Sequence, residues 1–205
     1  MTRLLTFAAL LAVPLFASAQ QRNSSGFMLN VHMNVTSLAM ENADTAESGL
    51  GLGFRFGWGV TKNVTLFAGI DSATIITEDP TIVDGEYGLM QANVGLIYNF
   101  RPGRTMLPYL EGAMTGWRIT SRVGSIDPAG NSVDGDVFTR GFAATLGAGF
   151  HYYFAPRLAA NAALSVTTGH FGDLRVNDTR GHNTDFSATS ARLGLGLTWY
   201  PITGR

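Results

Sequence analysis

The sequence predicts an all-β fold: an eight-stranded antiparallel up-and-down transmembrane β-barrel. Three observations lead to this prediction. Apolar residues recur at every second position in eight segments, which is the period of a strand with one apolar face. Short and long connections alternate between these segments. Beyond its first twenty residues the chain has no continuous apolar stretch of the ~20 residues that a spanning helix requires, and yet its mean hydropathy is slightly positive.

The composition narrows the class of function. The 205 residues include 25 glycines, only 14% of the residues are charged, and Lys62 is the only lysine. The formal net charge of −1 offers no basic surface, so we expect no nucleic-acid partner. Because the chain contains no cysteine, it has no disulfide framework, no thiol nucleophile and no lipoprotein attachment site.

The first nineteen residues have the layout of a secretory signal peptide. Arg3 supplies the positive start, Leu4 to Phe16 the apolar core, and Ala17-Ser18-Ala19 the cleavage site. An N-terminal membrane anchor is the alternative, but Pro14 interrupts the apolar run, which is too short to span a bilayer. We therefore expect residues 1–19 to be cleaved and residues 20–205 to form the barrel domain.

The eight segments give the boundaries of the expected strands, which are about 26–35, 49–60, 64–72, 87–100, 107–120, 138–154, 158–168 and a last strand that includes 192–199. Long polar loops are expected at 36–48, 73–86, 121–137 and 169–184, and short turns at 61–63, 101–104 and 155–157. Short periplasmic turns and longer extracellular loops are typical of outer-membrane barrels.

The fifth segment departs from the alternation. Leu110 and Met114 have outward parity, whereas Trp117 and Ile119 are large apolar residues with inward parity. This change predicts a bulge near Gly116 or an exit of the strand from the membrane.

The interior of an eight-stranded barrel is only wide enough to be filled by side chains. We therefore expect no general diffusion pore, and inward charges must find partners because an isolated ion in a narrow lumen is costly. Two positive and two negative residues at middle depth predict an interior charge network with a structural role: Arg55, Asp71, Glu111 and Arg192. A gated proton or ion path is the alternative. Inward glycines on the second strand leave room for the side chain of Arg55.

Aromatic residues on the apolar face collect at the short-turn end of the strands. This placement predicts a periplasmic aromatic girdle, formed by Trp58, Tyr98, Phe100, Tyr152, Phe154 and Trp199. A soluble ligand-binding barrel would turn its apolar face inward and would have no reason to ring one rim with aromatic side chains.

The last strand has one apolar face, and its other face is small or polar. Its sequence resembles the assembly signal in the last strand of bacterial outer-membrane barrels, and Arg192, Gly194, Leu197 and Trp199 occupy the positions of that signal. The tail after Trp199 departs from the family pattern, because the family usually ends at the aromatic residue. We expect residues 201–205 to lie beyond the strand pairs that close the barrel.

With this signal and eight such strands, the mature chain resembles the small bacterial outer-membrane β-barrels of the OmpA/OmpX type. The resemblance implies location in the outer membrane of a Gram-negative envelope, contact with outer-membrane lipids and lipopolysaccharide, and recognition by the barrel-assembly machinery during biogenesis. It also implies a structural or surface-interaction role through the extracellular loops, with no cofactor. It identifies neither the ligand-binding residues nor the partner of the loops.

Two other functions stay open, a lipid A-modifying outer-membrane enzyme and a soluble periplasmic ligand-binding barrel. Lipid A deacylases of barrel type carry a histidine and a serine two residues apart, with an acidic partner. In this sequence no histidine is followed by a serine two positions later, and no Gly-x-Ser-x-Gly elbow occurs. We therefore expect no catalytic residue and no enzyme. The histidines are His32, His151, His170 and His182.

Residues of metal-ligand type occur in the loops without the spacing of a metal motif. In the last long loop they are His170, Asp173, Asp178, His182 and Asp185. The other loops contain Asp79, Asp84, Asp127, Asp134 and Asp136, which we interpret as turn formers rather than ligands for a divalent cation. We expect no metal site.

Overall fold

A computed structural model describes residues 25–41, 45–78, 82, 84–126, 132–176, 179–180 and 186–203. The strands are β1 (Gly26–Met40), β2 (Glu47–Gly59), β3 (Val64–Ile76), β4 (Glu86–Asn99), β5 (Met106–Ile126), β6 (Ser132–Ala155), β7 (Leu158–Val176), β8 (Thr179–Arg180) and β9 (Phe186–Thr203). Within these ranges, no helix has the length and hydropathy needed to cross a membrane. The expected signal peptide, residues 1–19, lies outside the described residues.

Eight of the strands form a closed antiparallel barrel. Each of β1 to β7 pairs with its neighbours in sequence, β7 pairs with β9, and β9 pairs back with β1, while the two-residue β8 pairs only with the end of β7. Closure pairs the edge strands, as a barrel in lipid requires. The predicted eight-stranded antiparallel barrel is confirmed.

The strand register sets the tilt of the barrel. Following paired residues once around the barrel from Gly26 leads back to β1 at Thr36, so the shear number is 10; the path runs through Gly59, Thr65, Ile97, Glu111, Gly147, Ser165 and Arg192. With ordinary strand spacing, eight strands and this shear give a tilt of roughly 40°. Register and tilt together fix the depth of each side chain along the barrel axis.

The predicted alternation of faces holds on every strand of the barrel. Leu52 of β2 and Leu195 of β9 point outward and are 62% and 61% exposed, whereas Arg55 and Arg192 on the same strands point inward and are buried. Apolar side chains therefore face the surroundings, and polar ones fill much of the interior. This is the reverse of a soluble ligand-binding barrel.

The bulge expected near Gly116 is absent, because the pairings of β5 with β4 and β6 run through this residue without a shift. Trp117 continues the inward parity of Glu111 and Thr115 and is 2% exposed. The prediction of a bulge was wrong because it took every large apolar side chain to be lipid-facing, whereas the upper part of the lumen is itself apolar. The alternative, an exit of the strand from the membrane, stays a prediction.

Several strands extend beyond their expected ends. Residues 121–126 pair with 132–137, although the whole segment 121–137 was expected to be a loop, and β7 continues to Val176 inside the expected loop 169–184. Alternation marks only the part of a strand that lies in lipid, and backbone pairing continues above it. The tail was also misplaced, because Ile202 pairs with Phe27 and Thr203 with Gly26.

Candidate functional site

The inward side chains form three layers along the barrel axis. The lower apolar layer lies at the short-turn end and consists of Met28, Phe67, Ile97, Leu107, Tyr109, Tyr153, Ala159 and Tyr200. The upper apolar layer lies toward the long loops and consists of Leu38, Ala73, Ile75, Tyr87, Leu89, Trp117, Phe171 and Ala188. Between them lies a polar layer that contains all four residues of the expected charge network.

Two ion pairs form the centre of the polar layer. The Arg55 Nη1 to Glu111 Oε2 distance is 2.6 Å and the Arg192 Nη1 to Asp71 Oδ2 distance is 2.7 Å. At most 8% of each of these four side chains is exposed. Each buried charge therefore has an opposite charge in direct contact, which is the condition for holding ions in a narrow interior.

His32 joins this arrangement, although sequence reasoning assigned it no partner. Its Nε2 lies 2.6 Å from Asp71 Oδ1, and its Nδ1 lies 2.8 Å from Asn30 Oδ1. Both contacts are with side-chain oxygens, so each ring nitrogen has a partner in the polar layer. The inward parity of His32 on β1, at the level of Asp71 on β3, was the available signal.

Hydrogen bonds extend the polar layer around the barrel wall. Asn93 Nδ2 donates to Asp71 Oδ2 at 2.8 Å, and Thr115 Oγ1 donates to Asn93 Oδ1 at 2.7 Å. The hydroxyls of Thr115, Thr145 and Thr167 then follow one another at 2.6 and 2.8 Å. The chain of bonds connects β3, β4, β5, β6 and β7, so the polar layer links strands that are far apart in sequence.

Glycines on neighbouring strands make room for the long charged side chains. A Cβ on Gly69 would lie 2.6 Å from Arg55 Cγ, and a Cβ on Gly147 would lie 2.8 Å from Glu111 Cγ. On β2, Gly53 makes room for His32 and Asp71 rather than for Arg55. The space for Arg55 therefore comes from a glycine on β3. The sequence analysis had assigned this space to the glycines of β2, and that assignment was wrong.

A small cavity lies in the described part of the polar layer. It has a volume of about 10 Å³ and lies beside His32, Arg55 and Arg192, and this is about the volume that one water molecule needs. Above it, Trp117 and Phe171 stack with ring centroids 4.4 Å apart. The lumen is thus filled at this level by paired charges and closed above by stacked rings.

The six aromatic residues expected in the girdle all lie on the outer face at the short-turn end. Each is 38–53% exposed, and the register places them within roughly 9 Å of one another along the axis. They are Trp58, Tyr98, Phe100, Tyr152, Phe154 and Trp199. From this ring up to the level of Met90 and Phe142, the outer face is apolar over roughly 25 Å, the height of the apolar band on outer-membrane barrels.

Comparison with known families decides what this apolar band contacts. The family model of the outer membrane protein β-barrel domain matches residues 5–198. The chain belongs to this family. This β-barrel domain lies in the bacterial outer membrane, and its apolar band contacts outer-membrane lipid. Comparison with curated protein sequences gives no significant match.

Solved structures of other small outer-membrane barrels share the fold of this β-barrel domain. Neisserial surface protein A is 16% identical, with a TM-score of 0.64, over 86% of this chain and 97% of its own. OprG from Pseudomonas aeruginosa is 12% identical, with a TM-score of 0.56, over 88% and 98%. Ail, the attachment invasion locus protein of Yersinia pestis, is 10% identical, with a TM-score of 0.52, over 85% and 99%.

The structure brings together one pair that sequence spacing could not reveal. Ser187 Oγ lies 3.3 Å from His170 Nδ1, across the pairing of β7 with β9. The backbone N–H of Ser187 donates to Glu41 Oε2 at 3.1 Å. These residues lie at the loop end of the barrel, and a search for a serine two residues after a histidine misses a pair formed across two strands.

The expected loop aspartates are only partly described. Asp84 lies on the surface, 3.7 Å from Arg122. In the part of the chain that the structure describes, no group of three or more histidine, aspartate or glutamate side chains could hold a metal ion. Outside the described residues or side chains are Asp79, Asp127, Asp134, Asp136, Asp173, Asp178, His182 and Asp185.

Proposed function

We propose that this outer-membrane barrel has a structural or surface-interaction role, carried by its extracellular strands and loops, and that it is not a general pore. The observation that carries the proposal is the filled lumen. An ion would have to pass two apolar layers and the paired charges between them, and moving an unpaired ion into apolar surroundings is costly. Because the lumen does not conduct, the function of such a barrel depends on its outer surfaces.

The extracellular side offers a paired platform for such a role. The register places the last pair of β5 with β6, Ile126 with Ser132, roughly 20 Å above the level of Phe142. The β5–β6 hairpin therefore extends well beyond the apolar band. Backbone pairing orders this hairpin before any partner binds, which lowers the entropic cost of recognition.

The test compares the full barrel with a variant in which a short turn replaces residues 121–137. Both are purified in lipid nanodiscs and applied to an array of immobilised proteins and glycans, and the same two proteins are expressed in cells for measurement of β-lactam influx. We expect equal folding, no increase in influx, and array binding that only the full barrel shows. A porin-like influx, or array binding that survives the deletion, would contradict the proposal.

Three groups of residues have proposed roles in this account. We propose that the polar layer around Arg55, Asp71, Glu111 and Arg192 fixes the register of the barrel, because each charge finds its partner in only one alignment of the strands. We propose that the aromatic girdle is the periplasmic one. We also propose that the barrel-assembly machinery recognises the last strand through Arg192, Gly194, Leu197 and Trp199; Leu197 and Trp199 are outward and accessible.

A lipid A-modifying enzyme is the second candidate, and the Ser187–His170 contact of 3.3 Å favours it. A serine hydroxyl beside an imidazole is the core of a hydrolytic pair. The test is a mass spectrum of lipid A from cells that express the wild type, Ser187→Ala or neither. Loss of an acyl chain that requires Ser187 would support this function, and identical spectra would exclude it.

A further inference from the structure

A concave surface lies on the outer wall of the barrel, between β4 and β7. Its volume is about 720 Å³, within the usual range for ligand sites. Ala92 and Gly116 form its floor, and a Cβ added to Gly116 would meet no atom within 4 Å. Met90 and Phe142 stand up on either side and are 43% and 83% exposed. We call this surface the outer-wall groove; it is shaped for an apolar chain.

Two arginines lie at the upper end of the outer-wall groove. Arg118 Cζ lies 4.4 Å from the centroid of the Phe138 ring, and Arg140 Cζ lies 5.2 Å from the same centroid. Both arginines line the groove. One aromatic ring therefore holds two like charges close together, an arrangement that an anion placed between them would stabilise.

Neither arginine has an acidic partner among the side chains that the structure describes. The ion pairs of these side chains are those of His32, Arg55, Arg122 and Arg192, and none includes Arg118 or Arg140. The Nε of Arg118 is buried and has no hydrogen-bond partner there. The register places both arginines just above the apolar band, at the level of lipid headgroups. The charge, depth and unused donor all suit a phosphate.

We propose that the outer-wall groove binds a phosphorylated, multiply acylated glycolipid of the outer leaflet, of the lipid A class. One acyl chain lies on Ala92 and Gly116 between Met90 and Phe142, and a sugar phosphate is held by Arg118 and Arg140. The guanidinium fork matches the oxygens of a phosphate, and a lysine would not reproduce this geometry. The long-loop end of the barrel faces the leaflet that contains this lipid.

The test uses the folded full-length barrel in detergent micelles and native mass spectrometry. Four probes are titrated: bis-phosphorylated lipid A, the same lipid with both phosphates removed, phosphatidylglycerol, and inorganic phosphate. The charge variant is Arg118→Gln with Arg140→Gln, and Arg104→Gln in a short turn is its matched control. The steric variant is Gly116→Leu, and Ala68→Leu on the outer face of β3 is its matched control. Heat-modifiable gel migration verifies folding of each variant.

We expect the wild type and both controls to retain bis-phosphorylated lipid A. The charge variant should bind it at least about tenfold more weakly, which corresponds to loss of charge-assisted hydrogen bonds, and should bind the dephosphorylated lipid as the wild type does. Gly116→Leu should weaken binding of both acylated forms. Wild-type affinity for lipid A in the charge variant would overturn the phosphate site. Equal binding of phosphatidylglycerol would overturn the lipid A assignment, and equal competition by inorganic phosphate would overturn the role of the acyl groove.

Discussion

The contribution of the Arg55–Glu111 ion pair to the unfolding free energy measures how well the lumen excludes water from its paired charges. The perturbation is a double-mutant cycle of Arg55→Leu, Glu111→Leu and both together. The two charged groups approach to 2.6 Å, and their side chains are 8% and 1% exposed. Removing either partner leaves the other charge buried without its counter-ion.

The magnitude follows from this geometry. Two unit charges about 4 Å apart interact by about 4 kcal/mol at the effective dielectric constant of 20 that suits protein interiors. Breaking a buried pair costs about 3–5 kcal/mol, whereas replacing both partners with apolar residues is often close to neutral. We therefore expect each single variant to lose about 3–5 kcal/mol of unfolding free energy and the double variant to lose less than either.

The assay is urea unfolding of the barrel refolded into phosphatidylcholine vesicles, followed by heat-modifiable gel migration. A second cycle that combines Arg55→Leu with Arg104→Gln in an exposed turn is the control, and it should be additive because the two sites share no partner. Single-variant losses below about 1 kcal/mol that add in the double variant would refute the reasoning. Such a result would mean that water screens the lumen charges.

Three further predictions follow from the depth and sidedness of the barrel. Leu195→Arg places a charge near the bilayer midplane and should lower the unfolding free energy by about 2–4 kcal/mol in the same urea assay. Leu195→Met is its control, and equal stabilities of the two variants would mean that the outward face is misassigned. In intact cells, a membrane-impermeant maleimide should label Asp84→Cys and spare Lys62→Cys, and the reverse pattern would invert the topology. Leu197→Ala with Trp199→Ala should lower the folded fraction in outer-membrane extracts more than deletion of residues 204–205, and the opposite order would place the assembly signal elsewhere.

Sequence reasoning identified the barrel because a strand in lipid must turn an apolar side chain outward at every second position. Leu193, Leu195 and Leu197 face lipid, so their alternation with glycine and arginine is visible in one dimension. The same rule failed for Trp117, because an apolar residue can also face an apolar layer inside the lumen. It failed too for residues 121–126, since a strand outside the membrane needs no apolar face.

Contacts between strands were the part of the candidate site that was harder to predict from the sequence. Parity and depth indicated that Arg55 and Glu111 lie in one layer, but the partner of each charge depends on shear and tilt. His32 was visible only as an inward residue, and its contact with Asp71 spans 39 positions in sequence. The Ser187–His170 contact and the Arg118–Phe138–Arg140 stack likewise depend on register, which no local pattern encodes.

The central claim is that two apolar layers, with a layer of paired charges between them, close the lumen. Single-channel recording of the refolded barrel in planar lipid bilayers tests it most directly. A variant that opens the upper apolar layer, Trp117→Ala with Phe171→Ala, provides the comparison for the same preparation. The account predicts no discrete conductance steps for the wild type at any applied voltage below membrane breakdown. Reproducible steps from the wild type, scaling with the number of inserted barrels, would contradict it.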